Sequence, residues 1–310
     1  MKIIQASVQP ITETDPYKKI EKIGRTCYKS EDKITDDSCY KFVDTLINHQ
    51  HFAMLEHAAV HFLVETPTYT RLCNEFNGIE RVRITDLDAD YRQATSTYIV
   101  TLSLSHIYNL RWDSYTFMRA FRKCFEQGGE DVVYLNSWRI RKISDDELIS
   151  KMHENHMNSD AANREIDYHT LWSCRFICDR GVSHELVRHR RSFAQESTRY
   201  CNYTQGKFGG ELTFIEPSTW SSWTEDAKEI YLGELTRIED AYFKLSAEGL
   251  QPQQARAILP NSLKTEVIMS AYVDEWNHFF DVRSRGTTGA PHPDMKYVAD
   301  QALELFNTRN

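Results

Sequence analysis

Hydrophobic positions along this chain change period several times, and each change predicts an element. KIIQASVQP at the start has the make-up of a strand. Asp36, Asp37 and Ser38 are capping residues ahead of Tyr40, Phe42, Val43, Leu46 and Ile47, whose spacing predicts an amphipathic helix. The apolar run 59–64 predicts a buried strand. Beyond it, TRLCNEFNGIERVRITDLDADYRQ is polar and weakly periodic. Thr95 to Leu104 is rich in β-branched residues and predicts a strand, and Ser114 to Gln127 predicts a helix carrying Phe117, Met118, Phe121 and Phe125. MHENHMNSDAANRE is poor in apolar residues and is expected to be mobile. Leu171 to Cys178 is apolar with aromatics. Gly181 and Ser183 can start a short helix carrying Glu185 and Arg188, and a basic loop should follow, closed by Gly206, Gly209 and Gly210. Thr224, Glu225 and Asp226 open a long helix with a stripe of Tyr231, Leu235, Ile238, Tyr242 and Leu245, ended by Gly249. Pro252 restarts a short helix containing Arg256, which Pro260 stops. Thr265 to Ser270 predicts a strand, Asp274 to Val282 a helix ending at Arg283, and Pro293 a final helix.

Composition narrows the class. The chain has 310 residues, enough for one large or two small domains, with 41% hydrophobic and 26% charged residues, as in ordinary soluble globular proteins. A net charge of −8 argues against a general nucleic-acid binder. With no apolar run of about 18 residues, no membrane span is expected. The N-terminus lacks the apolar region of a signal peptide, and seven cysteines without regular pairing suit a reducing compartment, so a cytoplasmic location is expected. Cys174 and Cys178 form CxxxC with no second pair at finger spacing, so no metal site is expected.

Against this acidic background one stretch stands out. RHRRSFAQESTRYCNY, residues 188–203, places Arg188, Arg190, Arg191 and Arg199 beside His189, Gln195, Ser192, Ser197 and Tyr200. Guanidinium forks suit phosphate, hydroxyl and amide groups suit a sugar or base, and Tyr200 offers a flat wall. There is no GxGxxG, no GxxxxGK[ST], no GxSxG and no HExxH. A nucleotide or flavin would therefore be held by arginines and polar side chains instead of a glycine-rich turn. A basic loop with Tyr200 and Tyr203 could also hold single-stranded nucleic acid by phosphate contacts and stacking, and that reading competes with an enzyme site.

The RHR triplet, Arg188, His189 and Arg190, with Ser197 and Arg199 following, resembles the signature of the flavin-dependent thymidylate synthase (ThyX) family. Flanking DRGVSHELVRHR and YCNYTQGKFGGELTFI agree. So do GRTCYKSED, HFAMLEH and ARAILPNSLKTEVIMSAYVDEWNHFFDVR, in the same order along the chain. The resemblance covers the first 65 residues and everything from about 171 onward. It implies a single catalytic domain over 1–310, an α/β fold with a central sheet flanked by helices, and an insertion over 66–165. It further implies FAD-dependent reductive methylation of dUMP to dTMP, with methylenetetrahydrofolate as carbon donor, NADPH as reductant, no metal, and a homotetramer with shared active sites.

By the same resemblance, the nucleotide would meet Glu185, Arg188, Gln195, Glu196, Ser197, Thr198, Arg199, Arg256 and Arg283. FAD would meet Arg188, His189, Arg190, Gln195, Asp274 and His278. His51 and Tyr200 would lie on the folate side. Arg283 would support charge on the pyrimidine, and His51 joins it as a candidate catalytic residue. A histidine next to an apolar strand, such as His57, can equally be a satisfied core residue, and so can His51. Trp276, Phe279 and Phe280 suit the core better than a cofactor stack. The chain departs from the family pattern in four places: one residue is missing between the triplet and Ser197, Ala53 stands where a hydroxyl residue is common, and Tyr272 and Asp274 replace the usual asparagine and arginine. An enzyme that methylates or hydroxymethylates another pyrimidine nucleotide at C5 is the alternative.

Overall fold

The structure, a computed structural model, describes residues 1–67, 72–76, 79, 81–87, 95–109, 111, 115–128, 132–135, 137–155, 159–204 and 210–309. Among these residues the strands are β1 (Lys2–Ile4), β2 (Ser7–Pro10), β3 (Ala59–Pro67), β4 (Arg83–Asp86), β5 (Thr95–Ser103), β6 (Val133–Leu135), β7 (Trp138–Ile143), β8 (Leu171–Asp179), β9 (Ser192–Gln195), β10 (Thr213–Ile215) and β11 (Lys264–Tyr272). The helices are α1 (Pro16–Tyr28), α2 (Ser38–Asn48), α3 (Phe52–Leu55), α4 (Leu72–Glu75), α5 (Leu104–Tyr108), α6 (Thr116–Glu126), α7 (Asp145–Asn155), α8 (Ser159–His169), α9 (Arg180–Leu186), α10 (Glu225–Ala247), α11 (Pro252–Ala255), α12 (Val273–Arg283) and α13 (Pro293–Asn307).

The fold is mixed α/β, as expected, but its strands divide among three sheets instead of one central sheet. A four-stranded antiparallel sheet runs β2-β8-β11-β9. Its central strands alternate faces. Cys174, Phe176 and Cys178 with Val267, Met269 and Ala271 pack on Trp276, Phe279 and Phe280 of α12 and Met295, Val298 and Ala302 of α13. On the other face Ile268 and Ala194 meet Ile23 and Cys27 of α1. With both faces covered, β11 is buried along almost its whole length.

A five-stranded antiparallel sheet runs β4-β5-β3-β7-β6. Phe62, Val64, Val100 and Leu102 face α5 and α6, whereas Leu63, Ile99 and Ile143 face Leu148 and Met152 of α7 and Ala162 of α8. The opening KIIQASVQP splits. β1 pairs parallel with β10, and β2 pairs antiparallel with β8.

Three sequence readings change here. The apolar-poor stretch 152–165 is largely helical, because Met152 and Ala162 anchor α7 and α8 on the second sheet; residues 156–158 lie outside the described ones. The expected basic loop contains an edge strand, β9, paired on β11 with Ser192 opposite Ser270 and Gln195 opposite Val267. A helix that the pattern did not mark, α1, starts at Asp15, whose carboxylate accepts from the Lys18 N–H at 2.9 Å, followed by Pro16 at its first position. Ser114, Gly206 and Gly209 lie outside the described residues.

Candidate active site

The site grows out of the α12 C-terminus. Arg283, its last residue, meets Glu185 on α9 and His189 at the end of the 3₁₀ turn Val187–His189. Arg283 Nη1 donates to Glu185 Oε2 at 2.6 Å and Nη2 to the Glu185 carbonyl at 3.3 Å. Its Nε donates to His189 Nε2 at 2.9 Å, so that nitrogen is the acceptor and the imidazole is neutral. Burial first, and then the neighbouring Arg283, His278 and Arg191 charges, push His189 down to about 4. The ring stands edge-on to Phe279 at 5.0 Å and lies 6.4 Å from the exposed His278.

Arg190 has φ 52, a left-handed conformation that turns the chain from the 3₁₀ helix into β9. Along β9 the side chains alternate. Ser192 and Ala194 are buried, while Gln195 points back towards α9, where its Nε2 donates to Ser183 Oγ at 3.0 Å and Thr265 Oγ1 at 3.4 Å. The next four residues turn away beneath α1. Ser197 N donates to the Cys27 carbonyl at 3.0 Å. Thr198 Oγ1 accepts from Arg256 Nη1 at 3.3 Å, and Arg199 Nε donates to Gln253 Oε1 at 3.2 Å. Arg199 lies 5.3 Å from the Tyr200 ring, which in turn lies 5.4 Å from Tyr28. Tyr200 is 58% exposed and Tyr28 48%, an open aromatic pair beside the Arg199 guanidinium.

The structure therefore divides the candidate residues into two groups along one chain segment. Arg283, Glu185 and His189 are joined by direct hydrogen bonds, and Gln195 reaches α9 separately through Ser183. Ser197, Thr198, Arg199, Arg256 and Tyr200 surround the α1 and α11 ends. Arg188 and Arg190 are exposed and have no ion-pair partner among the described residues. His51 is exposed at the start of α3, with its ring 6.0 Å from His49, and no described hydrogen bond links it to Arg283. Asp274 accepts both Nη groups of Arg83, at 2.9 and 3.0 Å. His57 is fully buried, and its Nδ1 shares a hydrogen bond with Ser270 Oγ at 2.7 Å while its Nε2 has no hydrogen-bond partner among the described residues, so it is a core histidine satisfied at one ring nitrogen.

Comparison with known proteins now adds to the geometry. The family model described as "Thymidylate synthase complementing protein" matches residues 11–127 and 116–309. The chain belongs to this family. Among relatives, the flavin-dependent thymidylate synthase of Geobacter sulfurreducens is 33% identical over 105 residues, 34% of this chain and 43% of its own length. That of Pyrococcus horikoshii is 36% identical over 107 residues, again 34% and 43%. The match thus spans 43% of the length of each of these curated relatives. A solved structure, a UMP/dUMP methylase PolB from Streptomyces cacaoi bound with 5-Br UMP, is 19% identical and covers 53% of this chain and 84% of its own, at a TM-score of 0.40.

The residues that the motifs did not mark, Lys29, Arg175, Lys264 and Glu266, lie beneath the motif around its Glu196. Glu196 is 2% exposed and accepts from Lys264 Nζ at 2.8 Å. Lys264 and Lys29 both contact Glu266, and Arg175 Nη1 lies 3.4 Å from it. Burial alone would raise the Glu266 carboxyl, but Lys264 and Lys29 outweigh it and hold it below the ordinary carboxylate value. A signal for this network was available: Lys264 and Glu266 at i and i+2 put two charges on one face of an otherwise apolar strand, which requires partners. Burial pushes the Cys27 thiol up to about 11 and raises Cys174 and Cys178 as well. Among the described residues no group of three His, Cys, Asp or Glu is placed to hold a metal ion.

Proposed function

We propose that this protein is a FAD-dependent methylase that converts dUMP to dTMP, taking the carbon from methylenetetrahydrofolate and reducing equivalents from NADPH. The observation that carries this reading is the tethered Arg283. Its guanidinium has five N–H donors, and Glu185 and His189 occupy three of them, leaving two on a fork of fixed orientation. Such a fork matches a pyrimidine carbonyl and stabilises the negative charge that builds on the ring as C5 becomes nucleophilic. Glu185 and His189 position it, and the neutral imidazole adds no competing charge.

Phosphate binding falls to Arg199 and Arg256, with the Ser197 hydroxyl and the backbone of Glu196 and Thr198 holding the sugar end. The residues fit the flavin. Arg188 and Arg190 offer exposed guanidiniums without ion-pair partners among the described residues, and Gln195 offers an amide between this pair and the nucleotide side. His278 would meet the flavin, and His51 and Tyr200 the folate. Bound FAD supplies the electrons and relays the one-carbon unit, which is why a protein thiol is not required. Exposure of Arg199, Arg256 and the α10 residue Ile230, which is 69% exposed, supports sites shared between subunits of a homotetramer. Residues 1–310 would act as one catalytic domain in the cytoplasm; among the described residues no helix is long and apolar enough to cross a membrane.

The deciding experiment is anaerobic reduction of the purified protein followed by titration with dUMP. The flavin spectrum should shift on dUMP addition, and dTMP should form once methylenetetrahydrofolate and NADPH are present. Protein that takes up no flavin after incubation with FAD would overturn the reading. Product from UMP but not dUMP would redirect it to the other pyrimidine nucleotide.

A further inference from the structure

A carboxylate inside a phosphate-binding segment works against its ligand, and this chain has one. Glu196 is the single acid in the stretch 188–203, which otherwise carries four arginines. It directly precedes Ser197, Thr198 and Arg199, where an ionised acid facing outward would repel a phosphate. In the fold its side chain turns inward. Glu196 is buried, whereas Arg199 and Tyr200 are exposed.

Lys264, the first residue of β11, takes up that charge. Its Nζ donates to Glu196 Oε2 at 2.8 Å and also contacts Glu266, two residues along the same strand. Among the described residues Glu196 has no other ion-pair partner, while Glu266 has Lys29 and Arg175 as well. Neutralisation of Glu196 therefore depends on Lys264 alone. Burial opposes the Lys264 charge, but Glu196 and then Glu266 outweigh it and hold the ammonium above its ordinary range. The backbone repeats the attachment. Glu196 N donates to the Glu266 carbonyl at 2.8 Å, and Ser197 N to the Cys27 carbonyl at 3.0 Å. Immediately beyond, the chain turns. Tyr200 N and Cys201 N both donate to the Ser197 carbonyl, at 3.1 and 2.9 Å, and Arg199 N donates to Ser197 Oγ at 3.3 Å. The Lys264–Glu196 pair is thus the last side-chain anchor before this turn.

We propose that Lys264 is a positioning residue for the nucleotide phosphate: it holds the Glu196 carboxylate beneath the turn and cancels its charge, so that Ser197, Thr198 and Arg199 meet the phosphate with no acid facing it. The inference rests on the nucleotide reading given under Proposed function. Lys264 acts through Glu196 and not by touching the ligand, and its effect is confined to ligands that carry a phosphate.

The test compares dUMP with deoxyuridine, which has the same base and sugar and no phosphate, by the change in flavin absorbance on the full chain with FAD bound. Lys264→Met leaves the Glu196 carboxylate uncompensated, so dUMP should bind about tenfold more weakly or worse, while deoxyuridine and FAD affinities stay within about twofold. Combining Lys264→Met with Glu196→Gln removes both charges and should recover dUMP binding; a double variant as weak as the single one overturns the inference. If the pair only holds the fold together, Lys264→Met will lose dUMP and deoxyuridine alike or neither, and the inference is overturned. Should Lys264→Met not fold, Glu196→Gln decides. Its amide still accepts from Lys264 and leaves the cation in excess, so dUMP should bind severalfold tighter, and binding no tighter than that of the wild type overturns the inference. Wild-type protein that binds dUMP, with the Lys264 variant unchanged, overturns this inference alone. Wild-type protein that binds FAD but not dUMP overturns the nucleotide reading and this inference with it.

Discussion

Arg283 is held by three hydrogen bonds to Glu185 and His189, and its side chain, only 15% exposed, leaves the guanidinium little freedom. Pre-orientation of this kind matters most where charge develops during reaction, and removing one such donor costs about a hundredfold or more in turnover. Arg283→Ala should therefore fold, bind flavin and lose product formation by at least that factor. Near-normal dTMP formation by the variant, measured in a steady-state assay, would remove Arg283 from the chemistry. The cysteines make the opposite case. Cys27 and Cys201 are buried, and Cys27, raised to about 11, is a thiol at neutral pH and a poor nucleophile. Cys27→Ser and Cys201→Ala should keep turnover within a few-fold of wild type. An inactive but folded Cys201→Ala, judged by circular dichroism, would revive covalent catalysis. At this scale the sequence was informative wherever a side chain belongs to a contiguous motif, as Arg188 to Arg199 do. It was silent on Ser183 and Thr265, which orient Gln195, because their role depends on β9 lying along β11.

Helices were legible in the sequence where caps and period agreed. Thr224 does cap α10, accepting from the Ala227 N–H at 3.3 Å, and Gly249 ends that region with φ 91, a conformation that suits glycine. β5 and β11 appeared within a residue or two of their predicted bounds because β-branched runs are a local property. Partners were not legible. Nothing local in KIIQASVQP says that β1 pairs with β10 and β2 with β8, more than 160 residues away. The basic stretch gave no strand signal, because β9 takes its order from hydrogen bonds to β11 and not from an apolar alternation of its own. β11 carries the heaviest single burden, since Glu266 is 6% exposed and serves Lys29, Lys264 and Arg175 together. Removing its charge leaves Lys264 only Glu196, at 2.8 Å, and Lys29 only the more distant Glu31, at 3.6 Å, a change that costs about 3 kcal/mol. Glu266→Gln should lower the unfolding free energy by that amount, read as a lower urea midpoint with little change in the m-value, and a loss below about 1 kcal/mol would mean that water already screens the cluster.

Across the whole molecule, three neutral histidines tie separate parts of the fold to pH. His57 links α3 to Ser270 of β11, and burial followed by the Lys19 charge pushes it down to about 3. His169, at the end of α8, bonds to Thr101 at 2.6 Å and Thr85 at 2.9 Å under the five-stranded sheet, and burial pushes it to about 3. His189 is at about 4 beside Arg283. Unfolding returns each towards the ordinary value of 6.5, so in the window between roughly 6.5 and 4 the unfolded chain binds more protons than the folded one. Stability must then rise with pH through that window and be lost on acidification. The stabilisation is fully present above about 6.5 and declines as pH falls towards 4 for His189 and 3 for the other two. The paired carboxylates add to this only at lower pH, where they begin to protonate. Urea unfolding measured from pH 7.5 down to about 4.5 should therefore show a continuous loss of stability, with a slope that His169→Gln reduces. An unchanged slope in that variant would show that His169 takes up its proton in the fold at the same pH as in the unfolded chain, and a flat wild-type profile would show the same for all three.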